Sequence, residues 1–121
     1  RIAAVRKFVR KNFRNPALTV DEVVTYSFLS RRALYYLFEG EGLQVSAHIR
    51  ALRTLEALEL LAETTAWRRS LTDIAGASGF TSLQAMRRAI REFTGMSLRD
   101  AQEESEVLRI RSAELRRLTE L

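Results

Sequence analysis

The sequence predicts an all-α fold, and three observations carry the prediction. Apolar residues recur three and four apart in one segment after another, and no stretch alternates as a half-buried strand does. Ser or Thr stands three residues before Asp or Glu at 19–22, 70–73 and 97–100, the spacing of a capping box at a helix start. Only 5 Gly and 1 Pro interrupt 121 residues, too few for a turn-rich β fold.

The elements follow in order. Over 2–14, Ile2, Val5, Val9 and Phe13 share one helical face, with Arg6, Arg10 and Arg14 off it. Asn15-Pro16 ends that helix, because the residue before a proline is pushed out of the helical region. Thr19 and Glu22 cap a short helix reaching about Tyr26. Ser30 is the N-cap of the next, 31–39, whose inner face is Leu34, Leu37 and Phe38. Gly40 and Gly42 break the chain before a long helix over 46–63, apolar at Ile49, Leu52, Leu55, Leu58, Leu60 and Leu61.

The polar connection 64–69 contains Trp67, expected to anchor the loop to the core rather than to hold DNA backbone together with Arg68 and Arg69. Ser70 caps a short helix holding Leu71, Ile74, Ala75 and Ala77, which Gly79 ends in a tight turn. Thr81 and Ser82 open a helix with Met86, Ala89, Ile90 and Phe93 inward, closed by Gly95-Met96. Ser97 and Asp100 cap one last helical stretch running to Leu121.

The chain repeats itself. Glu22-Val23-Val24 aligns with Asp73-Ile74-Ala75 at an offset of 51, and Ser30, Leu34, Leu37 and Phe38 align with Ser82, Met86, Ala89 and Ile90 at 52. The one-residue slip falls in the turn. Each copy reads as short helix, tight turn, longer helix, which is the helix-turn-helix pattern. A repeated helical hairpin without any DNA role has the same pattern, so the exposed faces must decide.

Composition narrows the chemistry. With no Cys, disulfides, thiolate zinc sites and cysteine nucleophiles are excluded. One His, His48, cannot make a two-histidine metal site, nor anchor a convincing nucleophile–base–acid set. His48 reads as a packed or surface residue, not a switch. Gly40-Glu41-Gly42 has no preceding strand and lacks the rest of a phosphate loop. No enzyme activity, metal or cofactor is expected. No apolar run approaches the roughly 18 residues of a membrane span, and nothing at the N-terminus resembles a signal peptide. The net charge is +5, and 18 of the 20 basic residues are Arg. Arg offers a planar fork of donors matched to phosphate and to guanine, although a GC-rich genome produces the same surplus.

Position gives the surplus meaning. Opposite the apolar face, the second helix of the first copy shows Arg31, Arg32, Tyr35 and Tyr36. In the second copy, Leu83, Gln84, Arg87, Arg88 and Arg91 occupy that place. Neither face carries Asp or Glu through its first two turns, as an approach to phosphates requires. Arg pairs with guanine, Gln with adenine, and Leu or Tyr carbon meets a thymine methyl. Ser30, Thr81 and Ser82 sit at helix N-termini, where hydroxyls and backbone N–H groups hold phosphate or simply cap.

These residues resemble the DNA-binding domain of the AraC/XylS family of bacterial transcription regulators, over roughly residues 1–102. Ser70-Leu-Thr-Asp-Ile-Ala-Gly-Ala-Ser-Gly-Phe80 is similar to the family's support helix and turn, and Thr94-Gly-Met-Ser97 to the close after its recognition helix. Leu29-Ser-Arg-Arg-Ala-Leu-Tyr-Tyr-Leu-Phe38 fits the first recognition helix. Arg50-Ala-Leu-Arg53, with Ala57, Leu60 and Leu61, resembles the linker helix. The resemblance implies two helix-turn-helix subdomains, 1–45 and 64–102, joined by a linker helix, 46–63, with a helical extension over 103–121. It also implies that both recognition helices enter adjacent major-groove segments of a double-stranded DNA operator. Arg32, Tyr35, Tyr36, Leu83, Gln84, Arg87 and Arg88 would then read bases, while Ser30, Arg31, Thr81 and Ser82 hold phosphates.

Three departures stand out. Phe28 occupies the first turn where the family has Gly, so a differently shaped turn is expected there. Leu98 replaces the usual Pro. Residues 103–121 run past the usual end, with Leu108, Leu115 and Leu118 on one face, to pack back on the domain, pair with a second copy or meet a sensor domain. The expected protein is a cytoplasmic, nucleoid-associated bacterial activator or repressor, with RNA polymerase as a further partner and its sensor or dimerisation domain missing from this chain. The rival reading is a non-catalytic helical protein-interaction module. DNA affinity that falls steeply with salt and prefers one sequence separates the two.

Overall fold

The computed structural model describes residues 1–63 and 69–120. Among these, eight helices and no strands occur: α1 (Ile2–Asn12), α2 (Val20–Ser27), α3 (Arg31–Leu37), α4 (Val45–Glu63), α5 (Leu71–Ala77), α6 (Leu83–Thr94), α7 (Leu98–Glu103) and α8 (Ser105–Thr119). The expectation for Trp67 and Arg68 falls outside the described residues.

The cores explain the order. Val5 and Val9 of α1, Val23 of α2, and Leu34 and Phe38 at α3 close on Val45, Ile49 and Leu52 of α4. Ala57 and Leu58, one turn further along α4, join a second core with Ile74 and Ala75 of α5, Met86, Ala89 and Ile90 of α6, and Leu98 and Ala101 of α7. The long helix thus belongs to both halves. Burial of a side chain of this kind stabilises by about 1.5–3 kcal/mol, so each end of α4 is held by several such terms. Leu60 and Leu61, expected inward, are only partly buried beside the second core.

Local signals set the helix ends. Asn15 Oδ1 accepts from the Ala17 N–H at 2.9 Å, turning the chain at Pro16. Ser30, Ser70, Ser82 and Ser97 each accept the N–H three residues on, at 3.0 Å. Thr19 differs from its expectation: it holds the N-cap position in extended geometry, yet its hydroxyl makes no capping bond. Gly95 is left-handed at φ 73°, and the buried Thr94 hydroxyl donates to the Ile90 carbonyl and accepts the Met96 N–H.

The C-terminal stretch is two helices, not one. Glu104, at φ −109° and ψ 66°, breaks it between α7 and α8. Having turned there, α8 packs back: Leu115 is 3% exposed against Ala51 and Leu55 of α4. Leu108 lies partly buried by the second core, whereas Leu118, expected on the same face, is exposed. The helix faces inward through Leu115 and Thr119, and Leu118 falls just outside that strip.

Candidate nucleic-acid interface

Burial fixes the roll of each candidate recognition helix. In α3, Leu34 is fully buried and Phe38 seals its end, so Arg31, Arg32, Tyr35 and Tyr36 face outward. In α6, Met86, Ala89 and Ile90 are buried, so Gln84, Arg87, Arg88 and Arg91 face outward. Each helix starts at an exposed serine cap, Ser30 or Ser82, and the second is preceded by exposed Thr81. Both hydroxyls already accept a backbone N–H but keep their own proton to donate.

The two faces differ in how free their side chains are. Arg32, Arg87, Arg88 and Arg91 have no ion pair among the described residues. Arg31 does: it pairs with Asp21 of α2 and donates to the Tyr35 hydroxyl at 3.2 Å. The first face is therefore acid-free along its own helix only, since the turn folds Asp21 onto it. The Tyr35 carbonyl accepts from Gln44 Nε2 at 3.0 Å, and Tyr35 is about half as exposed as Tyr36, 38% against 77%. Tyr36 stands clear beside Ser30 and Arg32. Leu83 is half-buried against the second core, which leaves only part of its carbon surface open.

The two turns are built differently, as the departure at Phe28 predicts. In the second, Ser78 stays right-handed ahead of Gly79 at φ 97°, and the Phe80 N–H bonds to the Ala75 carbonyl at 2.9 Å. In the first, Phe28 is itself left-handed at φ 58°, directly after α2. Its ring is 96% exposed, so nothing in the packing forces it there. The helix ends at this residue, its N–H bonding to the Val24 carbonyl, and the Leu29 N–H bonds to the Ser27 hydroxyl at 3.2 Å.

Of the packed and surface places left open for it, His48 takes the packed one. It is 1% exposed beside Phe38, with ring centroids 6.2 Å apart. Burial, then the positive charges of Arg6 and Arg10, push its pKa down to about 4, so it is neutral at pH 7. Among the described residues, no group of three or more His, Asp and Glu is placed to hold a metal. No helix there is long and apolar enough to cross a membrane.

Sequence reasoning missed the arginines that join elements. Arg50 of α4 grips Glu92 of α6 through two bonds of 3.2 and 3.0 Å. Arg53 donates to the carbonyls of Phe13, Asn15 and Leu18 at 2.7, 3.0 and 3.0 Å. Burial among these carbonyls lowers its pKa from the ordinary value. The family resemblance placed them in the linker helix, but partners 35–42 positions away leave no local trace.

Residues 23–104 match the family described as "Helix-turn-helix domain", a span running from α2 past the end of α7. Among solved structures, the chain is similar to "The C-terminal domain of AraT, a response regulator from Geobacillus stearothermophilus". The identity is 19%, the TM-score 0.73, and the match covers 85% of this chain and 84% of that one. At that identity the likeness is one of fold. No curated protein matches the chain.

Proposed function

Because the chain belongs to the AraC-type helix-turn-helix family of DNA-binding transcription regulators, which are not enzymes, we propose that it binds one operator through both α3 and α6. The observation that carries the reading is the pair of outward faces at equivalent places in a repeated unit. Each has a serine cap, free arginine and no acid on its own exposed first turns. Arg32, Tyr35 and Tyr36 read bases from α3, and Leu83, Gln84, Arg87 and Arg88 from α6. Ser30, Arg31, Thr81 and Ser82 hold phosphates, Arg31 by exchanging Asp21 for the backbone.

Residues 1–45 and 64–102 act as the two reading subdomains on a spacer, 46–63. The solved neighbour is the C-terminal domain of a response regulator. By analogy, this module is the output end of a regulator whose sensing or dimerisation part lies in another domain. It works in the bacterial cytoplasm, on the nucleoid, activating or repressing through contact with, or exclusion of, RNA polymerase.

The test is phasing. The 19 residues of α4 span about 28 Å at about 1.5 Å per residue. With the flanking turns added, that approaches the roughly 34 Å major-groove repeat. After selection of the preferred site from random duplexes, inserting about five base pairs between half-sites places them on opposite faces of the duplex. Affinity is expected to fall to that of one half-site. Equal affinity for both operators would leave a single reading unit and return the other to a structural role.

A further inference from the structure

Two contacts cross between the halves without passing along the linker helix. The first is made by α8, which lies beyond the 23–104 span matched by the family. Leu115 covers Ala51 and Leu55, in the middle of α4, and Phe93 of α6 packs at the edge of both this cluster and the second core. At its far end α8 reaches the first unit. Arg10 of α1 donates to the Thr119 carbonyl at 3.2 Å, and Arg116 pairs with Glu59 of α4 at 3.3 Å. Thr119 is itself buried, so this end is seated rather than frayed.

The second contact is made by the turn of the second unit. A Cβ placed on Gly79 would lie 2.2 Å from the Phe13 carbonyl oxygen and 2.8 Å from Arg53 Nε. The turn backbone therefore rests on the C-terminal end of α1 and on the side chain that ties this end to α4. Arg53 is two residues from both Ala51 and Leu55, about 160–200° around the helix at roughly 100° per residue. The two contacts thus flank α4 on opposite sides.

A helix shared by two cores sets their separation but leaves each unit free to pivot about its own end. Contacts on opposite sides of that helix oppose pivoting in both directions. We infer that α8 and the Gly79–Arg53 contact clamp the two units into one reader of fixed geometry, so that Leu115, Arg10 and Arg116 are positioning residues that set the half-site spacing the chain accepts. The spacing role rests on the operator reading above; the clamp does not. With the clamp intact, the second unit arrives oriented once the first has bound. With it loosened, the second unit samples a larger volume and its effective concentration at the second half-site drops.

The experiment has one arm with DNA and one without. Leu115→Ala is expected to weaken binding to the two-half-site operator on the order of tenfold, with single-half-site affinity unchanged. It should also flatten the discrimination against operators lengthened or shortened by one base pair. For the second arm, the chain has no native Cys, so Glu22→Cys and Thr72→Cys, both at exposed positions, take spin labels selectively. Their distance distribution should be narrow in the parent and broad in the Leu115→Ala chain. Arg10→Gln with Arg116→Gln, which spares the apolar contact, gives the same broadening if Leu115→Ala does not fold. A folded variant with a distribution as narrow as the parent's overturns the clamp. Broadening without any sequence-specific DNA binding by the parent sustains the clamp and removes the operator reading with its spacing role.

Discussion

At the scale of the residue, the exposed arginines are unequal. Arg31 begins committed to Asp21, so a phosphate must displace a carboxylate before it gains Arg31. Arg88 has no carboxylate partner among the described residues, and it borders the groove between α6 and α4 near Thr81. In the proposed operator complex it would reach a guanine edge without breaking an existing ion pair. Arg88→Ala is therefore expected to cost about 1–3 kcal/mol on the preferred site and to relax preference at one base position. Unchanged affinity for both the preferred site and random DNA would remove Arg88 from the reading set. The identity of these side chains is legible in the sequence. Their freedom is not, because Asp21 stands ten positions from Arg31 and only the turn brings it round.

At the scale of the element, the two turns solve one problem differently. Both need a left-handed residue, and only one has the residue that adopts it at no steric cost. A non-glycine residue in this conformation costs roughly 1–2 kcal/mol. Phe28 bears that cost with an exposed ring that recovers little of it, so Phe28→Gly should raise stability by about 0.5–1 kcal/mol after glycine's greater unfolded-state entropy is subtracted. Gly79→Ala should do the reverse, at more than about 2 kcal/mol. It adds strain at φ 97° and drives a methyl onto a backbone oxygen that cannot move aside. Denaturant midpoints of the two variants check both signs, and stabilisation by Gly79→Ala would refute the contact with Phe13. From the sequence, Phe28 predicts a reshaped turn, and the structure has one: the left-handed residue follows α2 directly, whereas Ser78 separates α5 from Gly79.

For the whole molecule, His48 makes stability depend on pH. It is the single His of the chain, and its folded pKa of about 4 lies below the ordinary 6.5. The folded state therefore binds this proton less readily than the unfolded state. Its contribution is complete above about pH 6.5 and is lost as pH falls towards 4. Between pH 7 and 5 the unfolding free energy should drop by about 2 kcal/mol, at roughly 1.4 kcal/mol per pH unit below 6.5. Replacing His48 with the uncharged, similarly sized Gln should flatten that interval even if it lowers stability overall. A parent chain with no slope between pH 7 and 5 would contradict the buried, neutral His48.

What the sequence determined by itself is local and periodic. Apolar spacing set the inward faces of α1, α3 and α6 and most of that of α4, serines set where four helices begin, and the offset of 51–52 residues declared two like units. Each depends on residues within a turn or two of one another, which a linear reading can see. The break at Glu104, the return of Leu115 to the middle of α4, the reach of Arg53 to three distant carbonyls and the seating of Gly79 on Phe13 were decided only in the tertiary structure. The physical reason is distance along the chain. Side chains tens of residues apart choose partners only once both cores have closed and brought their surfaces within a few ångströms.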